Sequence, residues 1–339
     1  MTDFKSYLAV LASGAPLARD EAKAAFSLIF QGEATPAQLG AFLMGLRLRG
    51  ETIDEIIGAA EAMRAVMTPV EAPPGAIDIV GTGGDGAGTY NISTLAAIIA
   101  AAAGAIVAKH GGKAASSLSG ASDVLGELGV KVGISSNAAA SSLREAGICF
   151  MAATTHHPAM RHAAAVRSEL GVRTIFNLLG PLCNPARVER QTIGVFSRDW
   201  LEPLARALRE LGAKRVWLLH GSDGLDEATT TGVTHVVALE DGEIRAFDFS
   251  PEDAGLPRTT TQELVGGDAA HNARALRAVL EGAKNAYRDV AALNAGVALI
   301  VAGRATNVRE GVALAQAALD SGAAREKLDT LIHYSNREA

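Results

Sequence analysis

The clearest chemical pattern in the sequence is a glycine-rich segment, GTGGDGAGTYNIST, at positions 81–94. It follows the apolar run AIDIV and contains five glycines, Asp85 and four serine or threonine hydroxyls. Backbone amides of a glycine-rich turn can approach an anion closely, and the amino end of a following helix favours negative charge. We therefore expect the segment to bind a phosphorylated ligand, with the carboxylate of Asp85 accepting hydrogen bonds from backbone amides or sugar hydroxyls.

The glycine spacing by itself does not identify the ligand. Gly81, Gly83 and Gly86 match the dinucleotide-binding pattern, but no acidic residue follows about twenty positions later to hold a ribose. No Gly-Lys-Ser/Thr closes the segment, as a nucleotide-binding P-loop requires. A tight turn with a helix cap therefore stays open as a purely structural alternative.

A second glycine- and serine-rich segment, KHGGKAASSLSGASD at 109–123, also follows an apolar run and precedes a predicted helix. Lys109 and Lys113 give it positive charge. If two such loops lie at neighbouring strand ends, they suit a ligand with two phosphate groups. An ordinary flexible loop is the alternative.

The third segment, GSDGLDEATTTG at 221–232, places two carboxylates side by side at Asp226 and Glu227. Magnesium is usually held by one or two carboxylates together with substrate phosphates. The segment therefore predicts a metal–diphosphate site if it meets the first two loops, and a solvated acidic turn if it does not.

The surrounding pattern predicts an α/β protein with a small all-helical part. Residues 1–68 read as consecutive helices, with Thr35 and Thr52 as capping-box residues, and TPVEAPPG at 68–75 reads as a linker. Apolar runs at 76–80, 105–110, 130–132 and 148–152 then alternate with helices, which predicts a mainly parallel sheet.

The second half of the sequence continues this pattern after an interruption. A helix is predicted over 158–170, followed by a turn-rich segment at 175–185 that matches no strand pattern. Strands are predicted at 192–196 and 215–221. A hairpin turning at Asp241-Gly242 and a helical tail from Asp289 complete the prediction.

Composition restricts the class of function. A formal net charge of -6 over 339 residues opposes nucleic-acid binding. Two cysteines, Cys149 and Cys183, fit a reducing compartment. We find neither a signal peptide nor a long apolar segment, so we expect a cytoplasmic protein that has no membrane partner.

Taken together, these motifs resemble the anthranilate phosphoribosyltransferase family over nearly the whole chain. The resemblance is carried by GTGGDGAGTYNIST, by the KHG segment with its following serines, by GLDEATTTG, by the stretch HPAMRHAAAVRSELGVRTIFNLLGPLCNP at 157–185, and by PEDAGLP, GGDA and NA between 251 and 273. GTGGD alone is less specific, because pyrimidine nucleoside phosphorylases have a related loop.

The resemblance implies a homodimer that transfers the phosphoribosyl group of 5-phosphoribosyl 1-diphosphate to the amine of anthranilate in tryptophan biosynthesis. A helical domain, 1–72 and 156–184, is implied for dimerisation and the acceptor. An α/β domain, 73–155 and 185–339, is implied for the donor. Two Mg²⁺ ions per subunit are expected, and no acid–base residue is assigned.

Site residues follow from the resemblance position by position. The donor is expected to contact Gly81, Gly84, Asp85, Thr89, Asn91, Ser93, Thr94, Lys109, Gly111, Gly112, Lys113, Ser116 and Ser117. Anthranilate is expected to contact Gly81, His110, Gly112, Arg167 and Pro181. The metal ligands are expected to be Ser93, Asp226 and Glu227.

Two positions depart from the family pattern. Gly112 stands where the family has an asparagine near anthranilate, and Leu118 stands where it has a cation near the phosphates. Three alternatives remain. They are a pyrimidine nucleoside phosphorylase-like enzyme, a phosphoribosyltransferase with another aromatic acceptor, and a non-catalytic relative that binds nucleic acid or a phosphosugar regulator.

Overall fold

The computed structural model describes residues 3–113 and 118–337. Four helices begin the chain: α1 (Phe4–Ala12), α2 (Arg19–Gln31), α3 (Pro36–Arg49) and α4 (Ile53–Val66). The predicted capping boxes are confirmed, because the hydroxyls of Thr35 and Thr52 accept hydrogen bonds from the amides of Gln38 and Glu55. These local bonds satisfy amides that no preceding helical turn can reach.

The rest of the chain forms seven strands and eleven further α-helices within the described residues. In chain order they are β1 (Ile77–Gly81), α5 (Ile92–Ala102), β2 (Val107–Gly111), α6 (Ala121–Glu127), α7 (Ser136–Ala146), β3 (Ile148–Ala152), α8 (Ala153–His156), α9 (Arg161–Leu170), α10 (Ile175–Leu182), β4 (Arg190–Gly194), α11 (Leu201–Glu210), β5 (Arg215–Gly221), β6 (Thr234–Glu240), β7 (Glu243–Phe249), α12 (Ala269–Leu280), α13 (Ala286–Val301), α14 (Val308–Asp320) and α15 (Ala323–Asn336).

The strands form one sheet in the order β3-β2-β1-β4-β5-β6-β7. The first five strands in this order are parallel, and β6 and β7 add an antiparallel hairpin. Asp241 and Gly242 form its two-residue turn with φ values of 51° and 87°, as a type I′ turn requires. The predicted fold class, α/β with a mainly parallel sheet, is confirmed.

Two element predictions are wrong. Residues 130–132 form no strand, because the Val130 amide bonds to Leu125 and the Lys131 amide donates to Ser335 in α15. The segment 175–182, predicted to be turn-rich, is helix α10. Its Pro181 falls in the last turn, where a proline ends a helix without breaking its centre.

Two large apolar cores lie on either side of the sheet. One contains α5, α12, α13, α14 and α15 together with one sheet face. The other joins α1 to α4 with α9, α10, α11 and the opposite sheet face. In it the Phe176 ring of α10 lies 5.8 Å from Phe26 and 6.3 Å from Phe30 in α2. The segment from 161 to 182 therefore packs on the first four helices. No helix among the described residues is long and apolar enough to cross a membrane.

Candidate active site

The three motif segments meet in one cleft of 260 Å³ at the carboxyl edge of the parallel strands. This edge is where ligands bind in open α/β sheets, since parallel strands end on the same side. Thirteen of the predicted site residues line the cleft: Gly81, Gly84, Asp85, Thr89, Asn91, Ser93, Lys109, His110, Gly111, Gly112, Lys113, Asp226 and Glu227.

The remaining predicted residues are placed differently. Thr94, Arg167 and Pro181 do not line the cleft. Thr94 is buried in α5, and the Arg167 guanidinium lies 5.1 Å from the centre of the Phe176 ring. Ser116 and Ser117 fall outside the described residues.

The glycine-rich loop after β1 curves around the cleft. Gly83, Gly84 and Gly86 have φ values of 68°, 81° and 74°, a region that favours glycine. The carboxylate of Asp85 accepts a hydrogen bond from the Ala87 amide over 3.1 Å. The Arg173 guanidinium donates to the Gly84 carbonyl over 2.7 Å, so the α9–α10 connection supports this loop. Sequence reasoning had assigned Arg173 no part in the loop.

Asp226 and Glu227 follow β5 and turn their carboxylates toward the first two loops. Oδ2 of Asp226 accepts from the Gly83 amide over 2.6 Å, and Oε1 of Glu227 accepts from the Ser93 amide over 3.2 Å. The peptide at Asp226 lies directly over Gly194, and its carboxylate lies over Gly81. A Cβ at Gly194 would lie 1.5 Å from the Asp226 carbonyl oxygen, and one at Gly81 would lie 2.6 Å from its Oδ2. The backbone contact requires glycine at Gly194, while a side chain at Gly81 would displace the Asp226 carboxylate.

The site holds three partly buried carboxylates, Asp85, Asp226 and Glu227, and one buried cation, Lys109. Burial, followed by the charges of Asp85 and Glu227, raises the pKa of Asp226 well above its ordinary value. Burial also raises the pKa of Glu227 to about 7, against the lowering influence of Lys109. A divalent cation would relieve this repulsion, so the donor set fits a hard metal ion.

Within residues 3–113 and 118–337, no three His, Cys, Asp or Glu side chains are arranged to coordinate one ion unaided. Magnesium commonly completes its octahedral shell with water and substrate phosphates. The geometry therefore suits an ion that is bound together with a phosphorylated ligand.

Lys109 is the buried cation of the cleft, with 4% of its surface exposed. Its ammonium donates to the Ile79 carbonyl over 2.6 Å and to the Ser93 hydroxyl over 3.3 Å. Burial lowers its pKa, while Asp78 and Glu227 raise it. The lysine thus connects β1, β2 and the start of α5 beneath the phosphate-binding loops.

His110, next in the chain, is also buried. Its ring is 5.0 Å from the His157 ring. Burial, then His157, lowers the pKa of His110 well below its ordinary value, although the backbone of Gly180 has the opposite influence. His110 is therefore neutral near pH 7, and it offers a hydrogen bond without a charge.

Two buried side chains that sequence reasoning missed connect the loops. The side-chain Nδ2 of Asn272 donates to Oδ1 of Asn91 and to the hydroxyl of Ser119, each over 2.9 Å. It thereby ties the motif at 266–273 to the first two loops. The position of Asn272 inside that motif was the available indication of a role.

Asp78 in β1 is the other missed residue and is fully buried. Its Oδ1 accepts from the His110 amide over 3.0 Å, and its Oδ2 accepts from the Asn184 amide group over 2.7 Å. Asn184 also donates to the Ala108 carbonyl. Asp78 therefore holds the end of β2 and the segment after α10 together.

We expect the stability contributed by Asp78 to fall as pH rises. Burial raises its pKa from 3.8 to about 6, partly offset by Lys109. A carboxyl whose pKa is raised on folding stabilises the protein fully below the unfolded value and loses that contribution as pH rises through the folded value. The free energy of unfolding of the wild type, compared with that of Asp78→Asn, should fall by about 1 kcal/mol between about pH 5 and about pH 7.5.

Chemical denaturation of the two proteins at both pH values measures this change. The neighbouring Cys149 thiol adds no charge in this range, because burial raises its pKa far above neutrality. A difference between wild type and variant that is independent of pH would contradict the assignment.

Both parts of the chain match models of known protein domains. The helical bundle domain of the glycosyl transferase family matches residues 5–67, and the a/b domain of that family matches residues 73–325. The chain therefore has both domains of the glycosyl transferase family.

The similar proteins and solved structures are anthranilate phosphoribosyltransferases. Anthranilate phosphoribosyltransferase from Methylocella silvestris is 64% identical, covering 99% of this chain and 97% of that protein. A crystal structure of anthranilate phosphoribosyltransferase from Thermus thermophilus matches with a TM-score of 0.92 and 42% identity, covering 99% of this chain and 100% of that one. The Saccharomyces cerevisiae enzyme in complex with PRPP and Mg matches with a TM-score of 0.90 and 30% identity, covering 98% and 97%. This chain belongs to the anthranilate phosphoribosyltransferase family and is a pentosyltransferase.

Proposed function

We propose that this chain transfers the phosphoribosyl group of 5-phosphoribosyl 1-diphosphate to the amine of anthranilate in the cleft described above. The products are N-(5-phosphoribosyl)anthranilate and diphosphate. The observation that carries the proposal is the convergence of the glycine-rich loop, Lys109 and the Asp226–Glu227 pair at one sheet edge. Family membership supports the same reaction.

The donor is proposed to lie along the first two loops. Support comes from the backbone amides of the glycine-rich loop and from the buried ammonium of Lys109, which offer donors and positive charge to phosphates. Ser93, Asp226 and Glu227 are proposed to hold Mg²⁺, two ions per subunit, together with the diphosphate. Bound Mg²⁺ would neutralise charge that develops on the departing diphosphate.

The acceptor is proposed to approach from the α10 side of the cleft, past His110 and Gly112. Arg167 and Pro181 do not line the cleft, so their proposed contacts with anthranilate require a pocket deeper in the helical side. An aromatic amine attacks C1 of the ribosyl group as its bond to the diphosphate oxygen breaks, and it loses its proton afterwards, so no general base is assigned. The chain then contributes mainly positioning and electrostatic stabilisation.

The assembly and location are also proposals. The helical segments 1–72 and 156–184 are proposed as a domain that dimerises two copies. The α/β segments 73–155 and 185–339 form the proposed donor domain. We place the enzyme in the cytoplasm, in tryptophan biosynthesis.

A fluorescence assay tests the reaction. The purified protein is mixed with 5-phosphoribosyl 1-diphosphate, Mg²⁺ and anthranilate, and the loss of anthranilate fluorescence is followed with and without a chelator. Loss that the chelator stops is the expected result. No loss while the donor still binds would reject anthranilate as acceptor and direct the search to other aromatic amines.

Gly112→Asn is expected to lower the KM for anthranilate by roughly 2–10-fold, the effect of one added hydrogen bond. The position accepts a side chain, because a Cβ there would meet only the Ala153 Cβ at 3.6 Å and the backbone is not left-handed. Steady-state kinetics with varied anthranilate measure the change.

Gly112→Ala is the matched control, since it adds the Cβ without the amide. It should leave the KM for anthranilate near the wild-type value. An equal decrease in both variants would attribute the effect to backbone rigidity and would remove Gly112 from the acceptor site.

A further inference from the structure

Asn294 is a buried amide in the middle of a helix whose surroundings are apolar. It lies in α13 with 2% of its surface exposed, and the residues from Val290 to Val301 around it are buried as well. An amide in such a place destabilises the fold unless its hydrogen-bonding groups are used. The hydrogen-bond partners of the Asn294 side chain therefore indicate its role.

All of these contacts involve only two residues. Oδ1 of Asn294 accepts from the Ala228 amide over 2.9 Å, and Nδ2 donates to the Ala228 carbonyl over 2.8 Å. The second Nδ2 hydrogen goes to the Val290 carbonyl one turn earlier in α13, also over 2.8 Å. Two bonds to the amide and carbonyl of one residue define both the position and the orientation of the backbone at Ala228.

Ala228 directly follows Glu227 in an irregular loop that has neither helical nor sheet pairing around the two carboxylates. On the cleft side, the carboxylates of Asp226 and Glu227 are held by the amides of Gly83 and Ser93. On the far side, Asn294 holds the backbone. The loop is therefore held from both sides. A ligand that enters the cleft can replace the contacts on the cleft side, but it does not replace the contact with α13.

Few side chains could substitute for this asparagine. Leucine or alanine would leave the amide and the carbonyl of the fully buried Ala228 without partners. An aspartate would keep the acceptor and lose both donors. Holding one residue at both of its backbone polar groups requires an amide of this length.

We propose that Asn294 is a positioning residue for the metal-binding carboxylates, holding Asp226 and Glu227 in the orientation that receives a divalent cation. This inference rests on the proposed metal role of the two carboxylates. Residues that orient metal ligands from behind typically contribute about 10–100-fold to metal affinity. Asn294 lies 66 positions from Ala228 in the chain, and its hydrogen bonds to that residue are what give it this orienting role.

The test is Mn²⁺ binding to the full-length protein with 5-phosphoribosyl 1-diphosphate present, followed by the electron paramagnetic resonance of free Mn²⁺. Asn294→Ala should weaken Mn²⁺ binding by about 10–100-fold. The Mg²⁺ concentration for half-maximal turnover should rise by a similar factor, while kcat at saturating Mg²⁺ should recover most of its wild-type value. A purely structural role would move neither metal dependence.

Leu299→Ala is the matched control, because Leu299 is fully buried in the same helix and its apolar side chain cannot hydrogen-bond to the carboxylate loop. It should lower the melting temperature and leave Mn²⁺ affinity unchanged. Asn294→Ser provides a second variant, since a serine hydroxyl can bond back to the Val290 carbonyl and leave no buried donor within the helix. It should weaken Mn²⁺ binding as Asn294→Ala does.

The outcomes separate the two proposals. If the Asn294 variants melt at lower temperature but bind Mn²⁺ like wild type, while Asp226→Ala with Glu227→Ala abolishes binding, the positioning role is overturned and the metal site stands. If the carboxylate double variant itself binds Mn²⁺ normally, both proposals are overturned.

Discussion

Replacing Asp226 by asparagine and Glu227 by glutamine together is expected to reduce kcat/KM by about 10³-fold or more. Both substitutions keep the size of the side chain, and the amide oxygens can still accept from Gly83 and Ser93. What disappears is the negative charge that attracts a divalent cation. The loss should therefore appear in Mg²⁺-dependent turnover and not in folding, which circular dichroism monitors.

The matched control makes the same two substitutions where no metal is proposed. Asp241 and Glu243 lie exposed at the turn between β6 and β7. Glu240, beside that turn, pairs with Arg215 at the start of β5, so the turn lies at the opposite end of the strands from the cleft. Asp241→Asn with Glu243→Gln should retain wild-type turnover. Undiminished Mg²⁺-dependent activity in the site variant would remove Asp226 and Glu227 from the metal site.

Removing the charge of these partly buried carboxylates should also change stability in the opposite direction from activity. The raised pKa values of Asp226 and Glu227 mean that their ionised forms are unfavourable in the folded chain at neutral pH. The neutral double variant is therefore expected to unfold at an equal or higher temperature in metal-free buffer. Such an inverse relation is common where a site is built for function and not for stability.

Gly194→Ala is the second substitution with a large expected effect. A Cβ at this position would lie 1.5 Å from the Asp226 carbonyl oxygen and 2.3 Å from its carbonyl carbon. Backbone atoms cannot yield as a flexible side chain does, so the carboxylate loop has to move away from β4. A displacement of about 1 Å in a catalytic group can reduce turnover by about 10²-fold, and the strain should lower stability by about 1–3 kcal/mol.

Gly126→Ala is the control for a glycine-to-alanine change. Gly126 lies in α6, and a Cβ there would meet no atom within 4 Å. This substitution should leave kcat/KM unchanged and stabilise the helix by about 0.5–1 kcal/mol. Wild-type kcat/KM in Gly194→Ala would contradict the close packing of the loop on the strand end.

The local features that were predicted correctly depend on interactions between near neighbours. Thr35 and Thr52 bond to amides three residues later, and the turn at Asp241-Gly242 is defined by the conformation of two residues. The errors at 130–132 and 175–182 have a common reason. In both segments the local pattern allowed more than one structure, and contacts with distant elements selected between them.

The residues of the candidate site also fall into two groups, those that the sequence indicated and those that it did not. Residues in the glycine-rich loop and the carboxylate pair could be recognised because their chemistry is concentrated in short segments. The supporting residues could not, because each is an ordinary buried polar residue until its partner is known. Asp78 meets Asn184 across 106 positions, Asn272 meets Asn91 across 181, and Asn294 meets Ala228 across 66.

The sequence by itself determined the class of the fold, the loops proposed to face the phosphates and the two carboxylates proposed for the metal, since strand–loop–helix periodicity and ligand chemistry are both written in short stretches. The tertiary structure decided how close these loops come and which buried residues hold them. It placed the Asp226 peptide over Gly194 and the Asn294 amide behind Ala228. Those contacts arise only when distant segments pack together, because a hydrogen bond or a steric contact depends on distance in space and not on separation along the chain.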